Sequence, residues 1–245
     1  MRITVTNSLE RFYTESADRI ALQIRENPGS LVGLATGRTT GGIHKALANL
    51  YMERPFDTSH VTVFGMDEVT NMSRECKASC YYLLLHQVVE PLDIPLQHFI
   101  MPDPYAKDFK TECTNFEKRV SRNNTADLQI LGIGENGHLG FNQPGTPFGS
   151  TTWLSYMDDS LDERLRKENN IAENVKMGGF TLGIKNLMWS KKIILAANGK
   201  SKASIVEKAL FGPISEDVPA TVLQLHPDCE FILDPEAAMY IGKYL

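Results

Sequence analysis

The chain has 245 residues, with 25 Lys and Arg against 30 Asp and Glu, which gives a formal net charge of −5. This length allows one sizeable α/β core, and an acidic balance without basic clusters excludes a protein whose main partner is nucleic acid. No signal-peptide pattern opens the chain and no apolar run reaches the roughly 20 residues of a membrane span, so we expect a cytoplasmic protein without a membrane partner.

The cysteines give no indication of a metal centre. Only the first two lie close together, with three residues between them, and packing on one helix face explains that spacing equally well. We therefore expect reduced thiols and no bound metal. The four positions are Cys76, Cys80, Cys113 and Cys229.

The N-terminal elements alternate between strands and helices. Arg2–Thr6 alternates like an edge strand, and Ser8–Asn27 has the apolar period of an amphipathic helix. A short apolar strand, Leu31–Ala35, then leads into the loop TGRTTGG at positions 36–42 and a second helix. Backbone N–H groups and a helix N-terminus bind anions in this arrangement, although an ordinary turn is an equal alternative. The loop has neither a Walker ending nor a dinucleotide fingerprint.

A third predicted strand, Val61–Met66, ends at two adjacent carboxylates, Asp67 and Glu68. Neighbouring side chains of an extended chain point to opposite sides, so we expect at most one to enter a pocket while the other caps a helix or forms a salt bridge. From these residues alone, an N-cap role for Asp67 is as well supported as a catalytic one.

The most distinctive stretch is LQILGIGENGHLGFNQP at positions 128–144. Its first five residues predict a buried strand, and the glycines that follow allow a turn that presents Asn136 and His138 at the carboxyl end of that strand. Open α/β sheets bind their ligands at such ends. A lone histidine near apolar residues is nevertheless more typical of a structural hydrogen bond than of catalysis.

The segment 147–174 has no strong apolar period and is rich in charged residues, which predicts a mobile, partly helical lid over a pocket. Near the C-terminus, we interpret His226 as structural, because a histidine before proline at a helix end can bond the local backbone. The remaining predicted elements are helices at 77–89, at 108–122, from Lys202 to about 210 and at 219–225, and strands near Phe99, at Phe180–Ile184, at Lys192–Ala197 and after Pro227. This alternation predicts a single α/β domain, 1–245, with a mainly parallel, doubly wound, modified Rossmann-like sheet flanked by helices.

The text GIGENGHLGFNQP strongly resembles the signature of the glucosamine-6-phosphate deaminase and galactosamine-6-phosphate isomerase family, usually G-x-G-x-[DN]-G-H-[IL]-x-F-N-E-P. The segments TGRT and MDE before the signature and LQLHP after it stand in the family's order, so the resemblance covers nearly the whole chain. The resemblance implies aldose–ketose isomerisation with deamination of a hexosamine 6-phosphate. This reaction requires no metal or organic cofactor. The resemblance does not separate the glucosamine and galactosamine epimers, and it leaves the oligomeric state open, a homo-oligomer included.

The resemblance also implies roles for single residues. Asp67 matches the base that removes the C2 proton of the open-chain sugar. His138 suits proton transfer at the ring oxygen, because the ordinary pKa of histidine is about 6.5. Arg164 competes with Arg166 for one phosphate contact. The positions that match phosphate and substrate contacts are Thr36, Gly37, Arg38, Thr39, Gly137, Arg166 and Lys202.

The chain departs from the family pattern in the residues that tune His138. Gln143 stands where the family most often has Glu, and Asn136 stands where some members have Asp. An amide can orient the ring by hydrogen bonding, but it does not stabilise the imidazolium as a carboxylate does. Glu135 would substitute only if the turn directs it inward. We therefore expect a weaker or altered ring-opening step.

The sequence leaves open two alternatives to a hexosamine-6-phosphate isomerase or deaminase. One is a sugar-phosphate-binding paralogue with weakened catalysis, which Gln143 motivates. The other is a 6-phosphogluconolactonase-like hydrolase, which has the same overall fold but usually a different text after the Gly-His pair. Two further positions are unusual for the family: Arg38 occupies a position that is usually small, and Trp153 stands about where allosterically regulated members carry a basic residue.

Overall fold

The computed structural model describes residues 1–120, 126–155, 157 and 159–244. The strands are β1 (Arg2–Val5), β2 (Leu31–Leu34), β3 (Thr62–Gly65), β4 (Asp67–Val69), β5 (Phe99–Ile100), β6 (Leu128–Leu131), β7 (Trp153–Ser155), β8 (Gly179–Thr181), β9 (Ile193–Ala197) and β10 (Cys229–Leu233). The α-helices are α1 (Leu9–Glu26), α2 (Arg38–Glu53), α3 (Cys80–Leu84), α4 (Phe109–Val120), α5 (Asp159–Asn169), α6 (Ile184–Met188) and α7 (Ala203–Phe211). A π-helical turn, Leu85–Val89, extends α3, and 3-10 helices cover Leu96–His98, Lys200–Lys202 and Pro219–Leu225.

Seven strands form one sheet in the order β1-β10-β9-β6-β2-β3-β5, and all neighbouring strands in it run parallel. From β2 the chain first adds β3 and β5 on one side, then returns to build β6, β9 and β10 on the other. The direction of winding therefore reverses between β2 and β6, and open α/β sheets bind ligands at such a reversal. The predicted doubly wound, mainly parallel sheet is confirmed.

Helices on both faces of the sheet produce two apolar layers. Ser8 begins α1 by accepting the N–H of Arg11 at 3.1 Å, and the helix buries Phe12 and Ile20 in one layer. Phe64 and other aromatic side chains pack in the opposite layer. Strands covered on both faces are mainly apolar, which explains why β2 and β9 are apolar runs and why β6 has only one polar residue, the buried Gln129.

Three short strands form a second, antiparallel sheet in the order β4-β8-β7. Asp67 lies opposite Thr181 in the β4–β8 pair. The sequence did not predict this sheet, because strands of three residues carry too little periodicity to be recognised. The strand predicted over Phe180–Ile184 is wrong in its second part, since Ile184 begins α6.

The loop predicted at positions 36–42 is also shorter than expected. Helix α2 begins at Arg38, with Gly37 as its N-cap residue. The glycines suggested a loop, but Gly42 lies inside the helix because a side chain there would collide with the ring of Tyr13 in α1. The helix start, and with it the candidate anion site, therefore lies closer to β2 than the sequence indicated.

Other boundaries differ by a few residues. The helix predicted at 77–89 begins at Cys80, and the segment from Pro219 is a 3-10 helix. Helix α4 is described to Val120, and the predicted end at Arg122 lies outside the described residues. Within the predicted lid the structure shows β7 and α5, and positions 156 and 158 lie outside the described residues. Over the described ranges, the helices are too short or too polar to cross a lipid bilayer.

Candidate functional site

Loops from three neighbouring strands meet at the carboxyl edge of the main sheet. The hydroxyl of Thr39, just after β2, donates a hydrogen bond to the Asn198 side chain, just after β9, at 2.6 Å. The charges of Glu135, after β6, and Arg38 both influence the pKa of Lys202. These contacts bring together residues of three loops, of which Thr39, Glu135 and Asn198 lie more than 60 positions apart in the chain.

Asp67 is the most unusual titratable group at this edge. Asp67 is only 7% exposed, and its Oδ1 atom is buried without a hydrogen-bond partner among the described residues. Burial, together with the neighbouring charge of Glu68, raises the pKa of Asp67 to about 7, and the nearby Cys80 side chain partly opposes this rise. A carboxyl with such a pKa can release and accept a proton near neutral pH.

The carboxylate of Glu68, unlike that of Asp67, is occupied by backbone N–H groups. Its carboxylate accepts the N–H groups of Val69 and Cys80, both at 2.9 Å, and that of Tyr81 at 2.8 Å. Two of these N–H groups belong to the first turn of α3. Of the two carboxylates, Glu68 therefore helps to satisfy the start of α3, whose N-cap residue is Ser79, and the carboxyl of Asp67 faces the signature loop.

The signature loop passes directly over Asp67 at Gly140. This residue has a φ of +59°, which favours glycine, and a side chain there would collide with Met66 and Thr181 and would press against the Asp67 carboxyl. Farther back in the same loop, a side chain at Gly134 would collide with the imidazole of His138. Glycine at these two positions thus allows the loop to approach the acid and to hold the histidine.

The amides around His138 form a short relay. The Nδ1 atom of His138 lies 2.8 Å from Oδ1 of Asn136, which also accepts the His138 backbone N–H at 3.2 Å. The Asn136 amide nitrogen in turn donates to Oε1 of Gln143 at 3.0 Å. An amide oxygen only accepts, so Nδ1 carries a hydrogen and Nε2 is the basic nitrogen of the neutral ring. The amides therefore orient the histidine but bring no negative charge to it.

Groups that can bind an anion lie at the start of α2 and at Lys202. The first N–H groups of α2, beginning at Arg38, lack an intrahelical partner, as in any helix, and can bind an anion. Lys202 is partly buried, which lowers its pKa; the charge of Glu135 opposes this effect and Arg38 adds to it. Glu135 therefore acts on the cationic end of the site.

Two of the expected contact residues are held in other interactions. The backbone carbonyl of Gly137, a buried residue, accepts the N–H of Ala220 at 3.0 Å. Arg166 pairs with Asp162 and donates to the carbonyl oxygens of Ala172 at 2.7 Å and Val175 at 2.8 Å, all within its own segment. Arg164, the competing arginine, is exposed.

A buried asparagine joins the signature loop to the small sheet. Asn142 donates to the carbonyl oxygens of Leu139 and Leu182, both at 2.8 Å, and accepts the indole N–H of Trp153 at 3.0 Å. From the sequence, Trp153 is only an unusual residue for the family, because no local pattern shows a contact between side chains 11 positions apart.

The histidine near the C-terminus is structural, as predicted. Nε2 of His226 lies 2.8 Å from the carbonyl oxygen of Ser190, and Nδ1 accepts the N–H of Asp228 at 3.2 Å. Within the described part of the chain, no three His, Cys, Asp or Glu side chains are grouped so that they could hold a metal ion.

Comparison with known proteins identifies the family. Residues 6–230 match the model of the family described as glucosamine-6-phosphate isomerases/6-phosphogluconolactonase. The chain belongs to this family. Relatives named glucosamine-6-phosphate deaminase include one from Clostridium botulinum (strain Langeland), 37% identical over 238 residues, which make up 97% of this chain and 98% of the relative. Another, from Thermoanaerobacter pseudethanolicus, is 34% identical over 98% of this chain and 95% of its own.

Solved structures agree with this assignment. A monomeric glucosamine-6-phosphate deaminase superposes with a TM-score of 0.91 at 33% identity, covering 98% of this chain and 99% of its own. A 6-phosphogluconolactonase from Trypanosoma cruzi has a TM-score of 0.79 at 17% identity, covering 98% of this chain and 97% of its own, and shows only the shared fold. The family resemblance inferred from the signature is confirmed.

Proposed function

We propose that this chain is an amino-sugar-phosphate isomerase/deaminase that converts a hexosamine 6-phosphate, glucosamine 6-phosphate first of all, into a ketose 6-phosphate and ammonia. The observation that carries the proposal is Asp67, a buried carboxyl with an unpartnered oxygen and a pKa raised to about 7, placed under the signature loop. The names of the relatives at 34% and 37% identity support the same activity.

In the first step His138 opens the sugar ring by moving a proton to the ring oxygen. The relay through Asn136 and Gln143 fixes the orientation of the imidazole and keeps Nε2 as the basic nitrogen. Because the relay ends in amides, the imidazolium form gains less stabilisation than it would beside a carboxylate. We therefore expect ring opening to limit turnover in this protein.

In the second step Asp67 acts as general base. Its carboxylate takes the C2 proton of the open-chain amino sugar, which forms an enolamine, and returns that proton to C1. The C2 imine that results is hydrolysed by water, which leaves a ketone at C2 and releases ammonia. The chemistry moves protons and adds water only, so it requires no organic cofactor.

The phosphate would bind at the cationic end of the site. We assign it to the start of α2, including Thr39 and the backbone of Gly37 and Arg38, together with Lys202. Thr36 contributes its backbone, because its hydroxyl donates to the sulfur of Cys80 at 3.1 Å. Binding the remote phosphate orients the reacting carbons against Asp67.

We further propose that residues 1–245 act as one catalytic domain whose segment 147–174 serves as a lid. For Arg166 to reach the phosphate, that segment would have to exchange its present bonds to Asp162 and the nearby carbonyls for the substrate. We also propose that the protein works in the cytoplasm, and a homo-oligomer is compatible with this function.

The relay of amides favours one competing function, a sugar-phosphate-binding protein with weakened catalysis. The deciding experiment measures ammonia release and ketose 6-phosphate formation from glucosamine 6-phosphate and galactosamine 6-phosphate, with Asp67→Asn as the control. We expect turnover that this substitution abolishes, with glucosamine 6-phosphate preferred. Tight binding of both sugars without turnover would support the binding protein instead, and hydrolysis of 6-phosphogluconolactone without deamination would support the hydrolase.

A further inference from the structure

The small antiparallel sheet aligns three side chains in one row. Thr181 in β8 lies opposite Asp67 in β4 on one side and opposite Trp153 in β7 on the other. Side chains of directly opposite residues in antiparallel strands lie on the same face of the sheet. The row therefore has the candidate base at one end, a threonine in the middle and an indole at the other end.

The signature loop crosses this row. A Cβ atom at Gly140 would lie 3.3 Å from Oδ2 of Asp67 and 2.8 Å from Oγ1 of Thr181, so the loop backbone lies against both side chains. The backbone N–H of Phe141, the next residue, donates to the Thr181 hydroxyl at 3.3 Å. The loop is thus in register with the sheet beneath it.

Asn142 completes this register at the indole end of the row. It is fully buried, and its amide nitrogen donates to the carbonyl oxygens of Leu139 and Leu182, both at 2.8 Å. Its Oδ1 accepts the indole N–H of Trp153 at 3.0 Å. Both amide hydrogens and the amide oxygen are used, which allows one orientation of the side chain. The indole of Trp153 is the donor that satisfies the buried amide oxygen.

The turn that Asn142 holds begins directly after His138. Backbone hydrogen bonds between Leu139 and Asn142, at 3.0 and 3.4 Å, close a tight turn, and the carbonyl oxygen of His138 accepts the N–H of Gly134 at 3.0 Å. Asp67, by contrast, is held by the pairing of β4 with β8. A shift of the turn would therefore move the histidine relative to the acid.

We propose that Trp153, acting through Asn142, is a positioning residue for the reaction proposed above: its hydrogen bond keeps the signature loop, and His138 within it, in place relative to Asp67. The catalytic consequence rests on the proposed function. The groups assigned to the phosphate, at the start of α2 and at Lys202, follow β2 and β9 and take no part in the bonds just described. Loss of the indole bond should therefore impair proton transfer more than substrate binding.

The test compares Trp153→Phe with the wild type and with Trp189→Phe, which changes a residue outside the row that is 46% exposed. The readouts are kcat and KM for glucosamine 6-phosphate, with rates divided by the folded fraction measured by urea unfolding. We expect kcat of Trp153→Phe to fall roughly tenfold while KM stays within about twofold of the wild type, because small displacements of a catalytic group lower the rate steeply. Trp189→Phe should leave both constants near the wild-type values.

A second replacement removes only the N–H donor. The chain has two tryptophans, so in the Trp189→Phe background a biosynthetically incorporated tryptophan analogue enters at Trp153 alone. In the benzothiophene analogue a sulfur replaces the indole N–H and the ring keeps nearly the same size, so the apolar packing is preserved. This protein should show the same fall in kcat as Trp153→Phe. A wild-type kcat in the analogue protein would contradict the inference, whatever the rate of Trp153→Phe.

An activity-independent readout separates this inference from the proposed function. The ring signals of His138 are followed by ¹H–¹⁵N NMR in the free, folded proteins, with the His138→Gln spectrum as assignment control. Changed His138 signals in Trp153→Phe and in the analogue protein, but not in Trp189→Phe, would support the positioning role even if no amino sugar is turned over, an outcome that would refute only the proposed function. Unchanged His138 signals in all of these proteins would overturn the inference, as would a rise in KM that accounts for the whole loss of kcat/KM.

Discussion

Replacing the buried Asp67 by asparagine should change the free energy of unfolding by an amount that depends on pH. In the folded protein the pKa of Asp67 is raised from 3.8 to about 7, mainly because burial removes water from the carboxylate. The folded state therefore keeps a proton that the unfolded chain releases at pH values from about 4 to about 7. The group lowers stability progressively as pH rises through that window, and the loss is complete above the folded pKa.

The magnitude follows from the size of this shift. Each pKa unit corresponds to about 1.4 kcal/mol, so between pH 5 and pH 8 the wild type should lose about 2 to 3 kcal/mol that Asp67→Asn does not lose. The amide of the variant has its own cost of roughly 1 to 3 kcal/mol if its N–H groups find no partner, but that cost does not depend on pH. The difference between the two pH values therefore isolates the ionisation.

The assay is urea unfolding of the wild type and Asp67→Asn at pH 5 and pH 8. We expect the free energy of unfolding of the variant, relative to the wild type, to rise with pH by the amount given above, while its turnover is lost. Equal stability differences at the two pH values would show that the Asp67 carboxyl is not held in the dry environment described here.

Three further predictions concern single contacts. Gln143→Glu should raise the turnover of an amino-sugar phosphate several-fold, because a carboxylate at the end of the relay stabilises the imidazolium; an unchanged rate would mean that the amide is not limiting. Lys202→Ala should raise KM roughly tenfold or more, as a hydrogen bond to a charged group is worth about 1.5 to 3 kcal/mol, whereas Lys200→Ala, its exposed neighbour, should leave KM near the wild-type value. Trp153→Phe should lower the free energy of unfolding by about 1 to 3 kcal/mol through the acceptor it leaves unsatisfied, and more than Trp189→Phe, which replaces a residue that is 46% exposed.

The sequence by itself determined the features that neighbouring residues encode. Apolar runs located β2, β6 and β9, and the period of Ser8–Asn27 located α1 with its caps. The glycine-rich signature identified the family and the edge of the sheet where the polar residues lie. These features depend on contacts within a few residues, or on a motif that survives as continuous text, so one-dimensional patterns are sufficient to recognise them.

Tertiary structure alone decided which side chains meet. It buried both carboxylates but gave the N–H partners to Glu68 and left one oxygen of Asp67 without any, because two of those N–H groups belong to a helix that begins 12 residues further along the chain. It also formed the small sheet by pairing β4 with β8, which lies more than 100 residues further along the chain. The pKa of Asp67 depends on exclusion of water by all of these elements together, and no stretch of sequence contains that information.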